Sequence, residues 1–234
     1  MNDVPDKMLR MLIPVAEALG EELLKEMAFV GGSTVAFLIS DPITRQAVRF
    51  TLDVDVILHV EGQSDWYRIQ DILRQKGFKE AIDEEVICRM KLGDILVDFM
   101  PDDEAILGFS SQWYQPALKT ADVYPLTDKL SIKILTPVYF LATKLEAFLG
   151  RGKDNLLASQ DLEDIINLVD GREELLSEVT DSEQSIRQYI AEQFWELSAN
   201  PDFEYAVKGN IQEPGRVGLF FQRWESISNL GDRR

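Results

Sequence analysis

The chain has 234 residues, 45% of them hydrophobic, and a formal net charge of −17, which is enough apolar material to bury a core as one domain or as two packed ones. Such a charge repels the phosphate backbone at long range and argues against a non-specific nucleic-acid binder, while it suits a basic protein partner or a site rich in divalent metal. No apolar run approaches the roughly eighteen residues that cross a bilayer, and Met1-Asn2-Asp3-Val4-Pro5 lacks the basic-then-apolar design of a signal peptide, so a cytoplasmic protein with no membrane partner is expected.

Met8, Leu12, Val15, Ala16, Leu19, Leu23 and Met27 recur at intervals of three and four, which predicts an amphipathic helix ending near Met27. Ala28-Phe29-Val30 then reads as a short strand entering Gly31-Gly32, and Thr34 to Ile39 as a buried helix stopped by Ser40-Asp41-Pro42. The span from Asp41 to Phe50 reads as a loop, Asp53 to Leu58 as a strand, and Trp66 to Lys76 as a helix that Gly77 ends in a left-handed cap. Val86 to Met90 and Ile95 to Met100 flank the turn signal Leu92-Gly93-Asp94 and are expected to form an antiparallel hairpin, with the single cysteine, Cys88, as a buried small side chain. Ser131 to Leu135 is a further strand, and Pro137 opens a helix through Leu149. Ser159 caps a helix whose stripe is Leu162, Ile165, Ile166 and Val169 and whose stop is Gly171, and further helices cover Ser182 to Leu197 and Val217 to Ile227. The fold class expected is α+β, with a strand-rich core over 1–136 and a helical region over 137–234 packed on it.

Asp53 and Asp55 lie two apart on one strand and therefore share a face, and Asp98 sits on a neighbouring strand. Three such carboxylates are oxygen ligands of the kind that hold Mg²⁺, whereas the plainer alternative has Asp53 capping a strand and Asp98 facing solvent. Gly31 and Gly32 permit close backbone approach to a phosphate and Ser33 offers a hydroxyl and an amide, although a glycine pair between strand and helix is also simply a turn. Lys144 falls in an apolar stripe with Val138, Leu141, Leu145 and Phe148; it is either a snorkelling lysine or a cation for a triphosphate. Asp161 and Asp164 occupy a first helical turn, where the dipole favours acids in any case, and Asp161 is also a candidate general base. Arg49 is a loop cation, a phosphate contact or an anchor for the acidic strand, and His59 is a strand residue without assigned chemistry.

In matching order between Phe29 and Gly171, Val30-Gly31-Gly32-Ser33-Thr34, Arg49-Phe50-Thr51-Leu52-Asp53-Val54-Asp55, Val97-Asp98, Ala142-Thr143-Lys144-Leu145-Glu146-Ala147 and Ser159-Gln160-Asp161-Leu162-Glu163-Asp164-Ile165 resemble the nucleotidyltransferase superfamily, and within it the AbiEii/AbiGii-type toxins. The segment between Ser33 and Asp53, with Asp41-Pro42-Ile43-Thr44-Arg45, departs from that pattern as a long insertion. The resemblance implies a polymerase-beta-like mixed sheet flanked by helices. It also implies Mg²⁺ on Asp53, Asp55 and Asp98, an NTP whose phosphates meet Gly31, Gly32, Ser33, Arg49 and Lys144, and Lys144 and Asp161 as two further functional positions. The implied activity is transfer of a nucleoside monophosphate to a macromolecular acceptor, tRNA or protein, by a toxin whose partner is an antitoxin protein. The alternative within the same fold is a non-catalytic antitoxin or regulatory binding module.

Overall fold

The computed structural model describes residues 4–81, 86–152 and 155–231. Met1 to Asp3, part of the stretch weighed as a leader, lie outside the described residues, as do 82–85, 153–154 and 232–234. In chain order the elements are α1 (Val4–Glu26), β1 (Met27–Val30), α2 (Val35–Leu38), α3 (Pro42–Ala47), β2 (Asp53–Leu58), α4 (Gln63–Gln75), β3 (Lys79–Glu80), β4 (Arg89–Leu92), β5 (Ile95–Pro101), α5 (Glu104–Leu107), α6 (Tyr114–Thr120), β6 (Asp122–Pro125) and β7 (Ser131–Ile134). There follow α7 (Pro137–Arg151), α8 (Gln160–Gly171), α9 (Leu175–Asp181), α10 (Gln184–Ser198), α11 (Phe203–Asn210) and α12 (Val217–Ser228). The class is α+β, and no described helix is long and apolar enough to cross a membrane.

Two compact units share the chain: Met1–Thr34 with Arg49–Thr136, and Val35–Val48 with Pro137–Arg234. The first holds a seven-stranded sheet in the order β3-β4-β5-β2-β1-β7-β6. The sheet is mixed, since β2 runs parallel to β5 and β1 parallel to β7, while the other neighbours are antiparallel. A parallel pair needs a crossover, and α4 lies between β2 and β5 in the chain, its buried face made by Trp66, Ile69 and Leu73. Gly77 follows that helix with φ of 98°, and Phe78 then packs edge-on to Phe99 of β5 at 5.3 Å between ring centres. The hairpin expected around Gly93 is present, but its first strand starts at Arg89 rather than Val86 and leaves Cys88 buried in the preceding turn.

Gly20 breaks the register of α1 with φ of 74° and ψ of 166°. Beyond that kink Leu24, not Leu23, is buried, and Met27 belongs to β1 instead of ending the helix. His59 falls just past the end of β2.

In the second unit the span expected to be loop contains α3, because Asp41 accepts from the amides of Ile43 and Thr44 and Pro42 supplies a helical φ at the first position. Gly171 is not a left-handed cap: it is the last residue of α8, and a Cβ there would come within 2.5 Å of Ile39 and 2.9 Å of Thr44 side chains. Close packing selects this glycine, and its carbonyl accepts from the amides of Ser40 and Asp41. Phe194 of α10 stacks on Trp224 of α12 with ring centres 3.7 Å apart, and Phe203 and Phe220 close the cluster.

Candidate functional site

Strand register assembles the acids. Asp55 stands opposite Asp98 across the parallel β2–β5 pair, and alternation along β2 puts Asp53 on the same face. One carboxylate oxygen from each of the three lies within 4.8 Å of the other two. Asp98 sits in a strand flanked on both sides and is 6% exposed, so the solvent-facing alternative for it is overturned. Asp53 and Asp55 are half-buried, and buried Thr51 donates its hydroxyl to Asp53 Oδ1 at 2.5 Å.

The glycine turn belongs to the same place, because Val30, the last residue of β1, pairs with Asp55. Gly31 adopts φ of 71°, and a Cβ there would lie 1.9 Å from Asp55 Oδ2. Glycine is required both by the backbone and by the approach of the carboxylate. Gly32 and Ser33 are buried; Ser33 donates its hydroxyl to the Val30 carbonyl at 3.2 Å, and Thr34 hydroxyl and amide both donate to the Gly31 carbonyl. Arg49 is half-buried at the start of the segment leading to β2.

Three crowded carboxylates need a cation, and the fold supplies one that the sequence reading overlooked. Arg89 on β4 stands opposite Asp98 in the antiparallel register. Its Nε donates to Asp98 Oδ1 at 2.7 Å, and its Nη2 donates to Asp98 Oδ2 at 2.8 Å and to Asp53 Oδ2 at 3.0 Å. The guanidinium side chain is 13% exposed, so these are charge-assisted bonds in a partly dry setting. An all-oxygen trio is also the kind of donor set that could hold a hard cation. Cys88, next to Arg89, is pushed up to about 12 by burial and by the charges of Asp98 and Asp55, so it stays a thiol and offers no nucleophile.

Lys144 and Asp161 lie in the second unit, where they are brought together with two partners the sequence reading did not assign. Lys144 Nζ on α7 is 3.1 Å from Asp161 Oδ1 and 2.7 Å from Asp164 Oδ2, both on α8. Arg151 adds a fork to Asp161 at 2.8 and 3.0 Å. Lys144 is 7% exposed, so it does not snorkel; its ammonium is buried and paired. Burial pushes the Asp161 carboxyl up, but hydrogen bonds from Arg151 and the charges of Lys144 and Arg151 outweigh it, and the group lies below the ordinary carboxylate range. Ser159 caps α8 by accepting from the Leu162 amide, which sets Asp161 and Asp164 three apart on one side of the first turns.

His59, given no role from sequence, has Nδ1 2.8 Å from Asp102 Oδ2 in the first unit. Compared with protein-family models and with curated proteins, the chain matches none.

Proposed function

We propose that the chain is a Mg²⁺-dependent nucleotidyltransferase that moves a nucleoside monophosphate from an NTP to a macromolecular acceptor, with release of pyrophosphate, on a polymerase-beta-like fold of the AbiEii/AbiGii toxin type. The observation that carries this is the meeting of Asp53, Asp55 and Asp98 within 4.8 Å beside the Gly31 turn. Acids gathered this closely repel one another unless a cation lies among them, a place that Arg89 takes in the metal-free chain and that a divalent ion would take when bound.

Asp53, Asp55 and Asp98 would hold the metal, which when bound would supply Lewis-acid polarisation of phosphoryl oxygens. Gly31, having no Cβ, leaves room for the Asp55 carboxylate to lie against the turn. Ser33 braces that turn through its hydroxyl bond to Val30. Thr51 orients Asp53 by its own hydrogen bond, so the carboxylate is positioned before any ligand arrives. Lys144 and Arg151 together balance Asp161 and Asp164 within the second unit, and no step is assigned to Lys144 or Asp161.

Arg89 favours a second proposal, the non-catalytic antitoxin or regulatory module, since it already neutralises Asp53 and Asp98. One experiment separates the two. Purified protein is incubated with each labelled NTP, Mg²⁺ and a cell extract, and the labelled RNA or protein band is read. Transfer by the wild type that Asp53→Ala reduces by about a thousandfold or more is expected for the enzyme; undiminished transfer by Asp53→Ala overturns it. No transfer, together with no calorimetric Mg-NTP binding, favours the binding module.

A further inference from the structure

Resting on the assignment of the aspartate trio as a metal site, we infer that Arg89 is its resident counter-cation and that a divalent ion binds by displacing the guanidinium. Nη2 of Arg89 bridges Asp53 Oδ2 and Asp98 Oδ2 at 3.0 and 2.8 Å, and Nε takes the remaining oxygen of Asp98 at 2.7 Å. Both oxygens of Asp98 and one of Asp53 are therefore engaged by one planar cation. A divalent ion held by those two carboxylates would compete with Nη2 for the same oxygens.

The placement is built in by the hairpin. Leu92 pairs with Ile95 across the Gly93-Asp94 turn, and counting outward puts Arg89 directly opposite Asp98. Adjacent strands hold the two backbones together, so only the side chain can withdraw. The fork that makes Arg a good partner for a carboxylate also makes it a strong competitor there. In the metal-free protein it offsets the repulsion among the three acids; in the presence of metal it lowers the apparent affinity of the site for the ion. Arg89 is a positioning residue on this account, and it acts through Asp53 and Asp98.

The test is Mn²⁺ binding followed by calorimetry and by loss of the free-ion paramagnetic signal, on the full chain, for the wild type, Arg89→Lys, Arg89→Met and Asp98→Asn. Arg89→Lys keeps the charge and loses the fork, so it guards against a failure of Arg89→Met to fold. Displacement predicts that Arg89→Lys binds Mn²⁺ on the order of tenfold more tightly than the wild type, and Arg89→Met more tightly again, because the competing charge-assisted bonds are weakened or gone. A second readout needs no variant: the Arg89 Nε–H resonance of the wild type is expected to shift on titration with Mg²⁺ and to saturate with binding. Unchanged or weaker Mn²⁺ binding in Arg89→Lys, or an Nε–H signal unmoved at saturation, overturns displacement while leaving the metal site standing if Asp98→Asn still abolishes binding. Absence of Mn²⁺ binding in the wild type and in both Arg89 variants overturns the metal assignment itself.

Discussion

His59 is the one histidine of the chain, so its ring resonances can be followed without assignment by mutagenesis. Its hydrogen bond to Asp102 raises it above the ordinary 6.5; burial opposes this, and the charges of Asp102, Glu61 and Asp65 add to the rise. Asp102 is well placed to hold the ring, because its other oxygen accepts from the Val60 amide and its own amide donates to Leu58. A group raised in the folded state contributes stability below its unfolded value and loses it as pH climbs through the folded one. Proton NMR is expected to give a midpoint above 6.5 in the wild type and a return toward 6.5 in Asp102→Asn, with the unfolding midpoint of the wild type falling as pH rises through that window. A wild-type midpoint at or below 6.5 would show that the pair does not persist in solution.

At the scale of elements, α7 and α8 are joined by a buried charge cluster as well as by apolar contact. Lys144 pairs with Asp164 at 2.7 Å, and Asp164 is fully buried. Removing one member of a buried pair typically costs about 3–5 kcal/mol, since the remaining charge is stranded. Lys144→Met is therefore expected to lower stability by about that amount in urea unfolding, and adding Asp161→Asn and Asp164→Asn is expected to recover much of it. A loss below about 1 kcal/mol would be the behaviour of an exposed lysine. These elements also show what a sequence makes legible. Asp53 to Leu58 is readable because a period of two with β-branched residues has few other meanings, and the cap at Ser159 because its hydrogen bond is local. The short α3 is missed because its six residues carry no full apolar period, although Asp41 and Pro42 together spell its start. Arg89 was within reach: once Gly93-Asp94 is taken as the turn, register places it against Asp98, but a two-sided reading of Val86 to Met90 puts the strand three residues early. The pairing of Lys144 with Asp164 is out of reach, because it depends on how two helices pack and not on either stripe alone.

For the molecule as a whole, a net charge of −17 on 234 residues means that folding gathers like charges into a smaller volume. Self-repulsion of this kind opposes the compact state and is screened by salt over a Debye length of about 10 Å at 0.1 M. The pairs that hold specific geometry respond differently. Arg89 with Asp98 and Lys144 with Asp164 are largely buried and little screened, whereas Lys25 with Glu21 is open to solvent and adds little at any ionic strength. The repulsive term is spread over the whole surface and so dominates the salt response. Raising NaCl from about 0.05 to about 0.5 M is thus expected to increase the urea midpoint of the wild type, with the steepest change at the low end where the screening length shrinks fastest. Mg²⁺ at matched ionic strength should stabilise further if the trio of aspartates binds it, because a ligand specific for the folded state adds RT ln(1 + [L]/Kd) to any screening effect. That increment should vanish in Asp98→Asn while the NaCl response remains. A midpoint that falls with NaCl would mean instead that attractive surface pairs outweigh the repulsion of the acidic surplus.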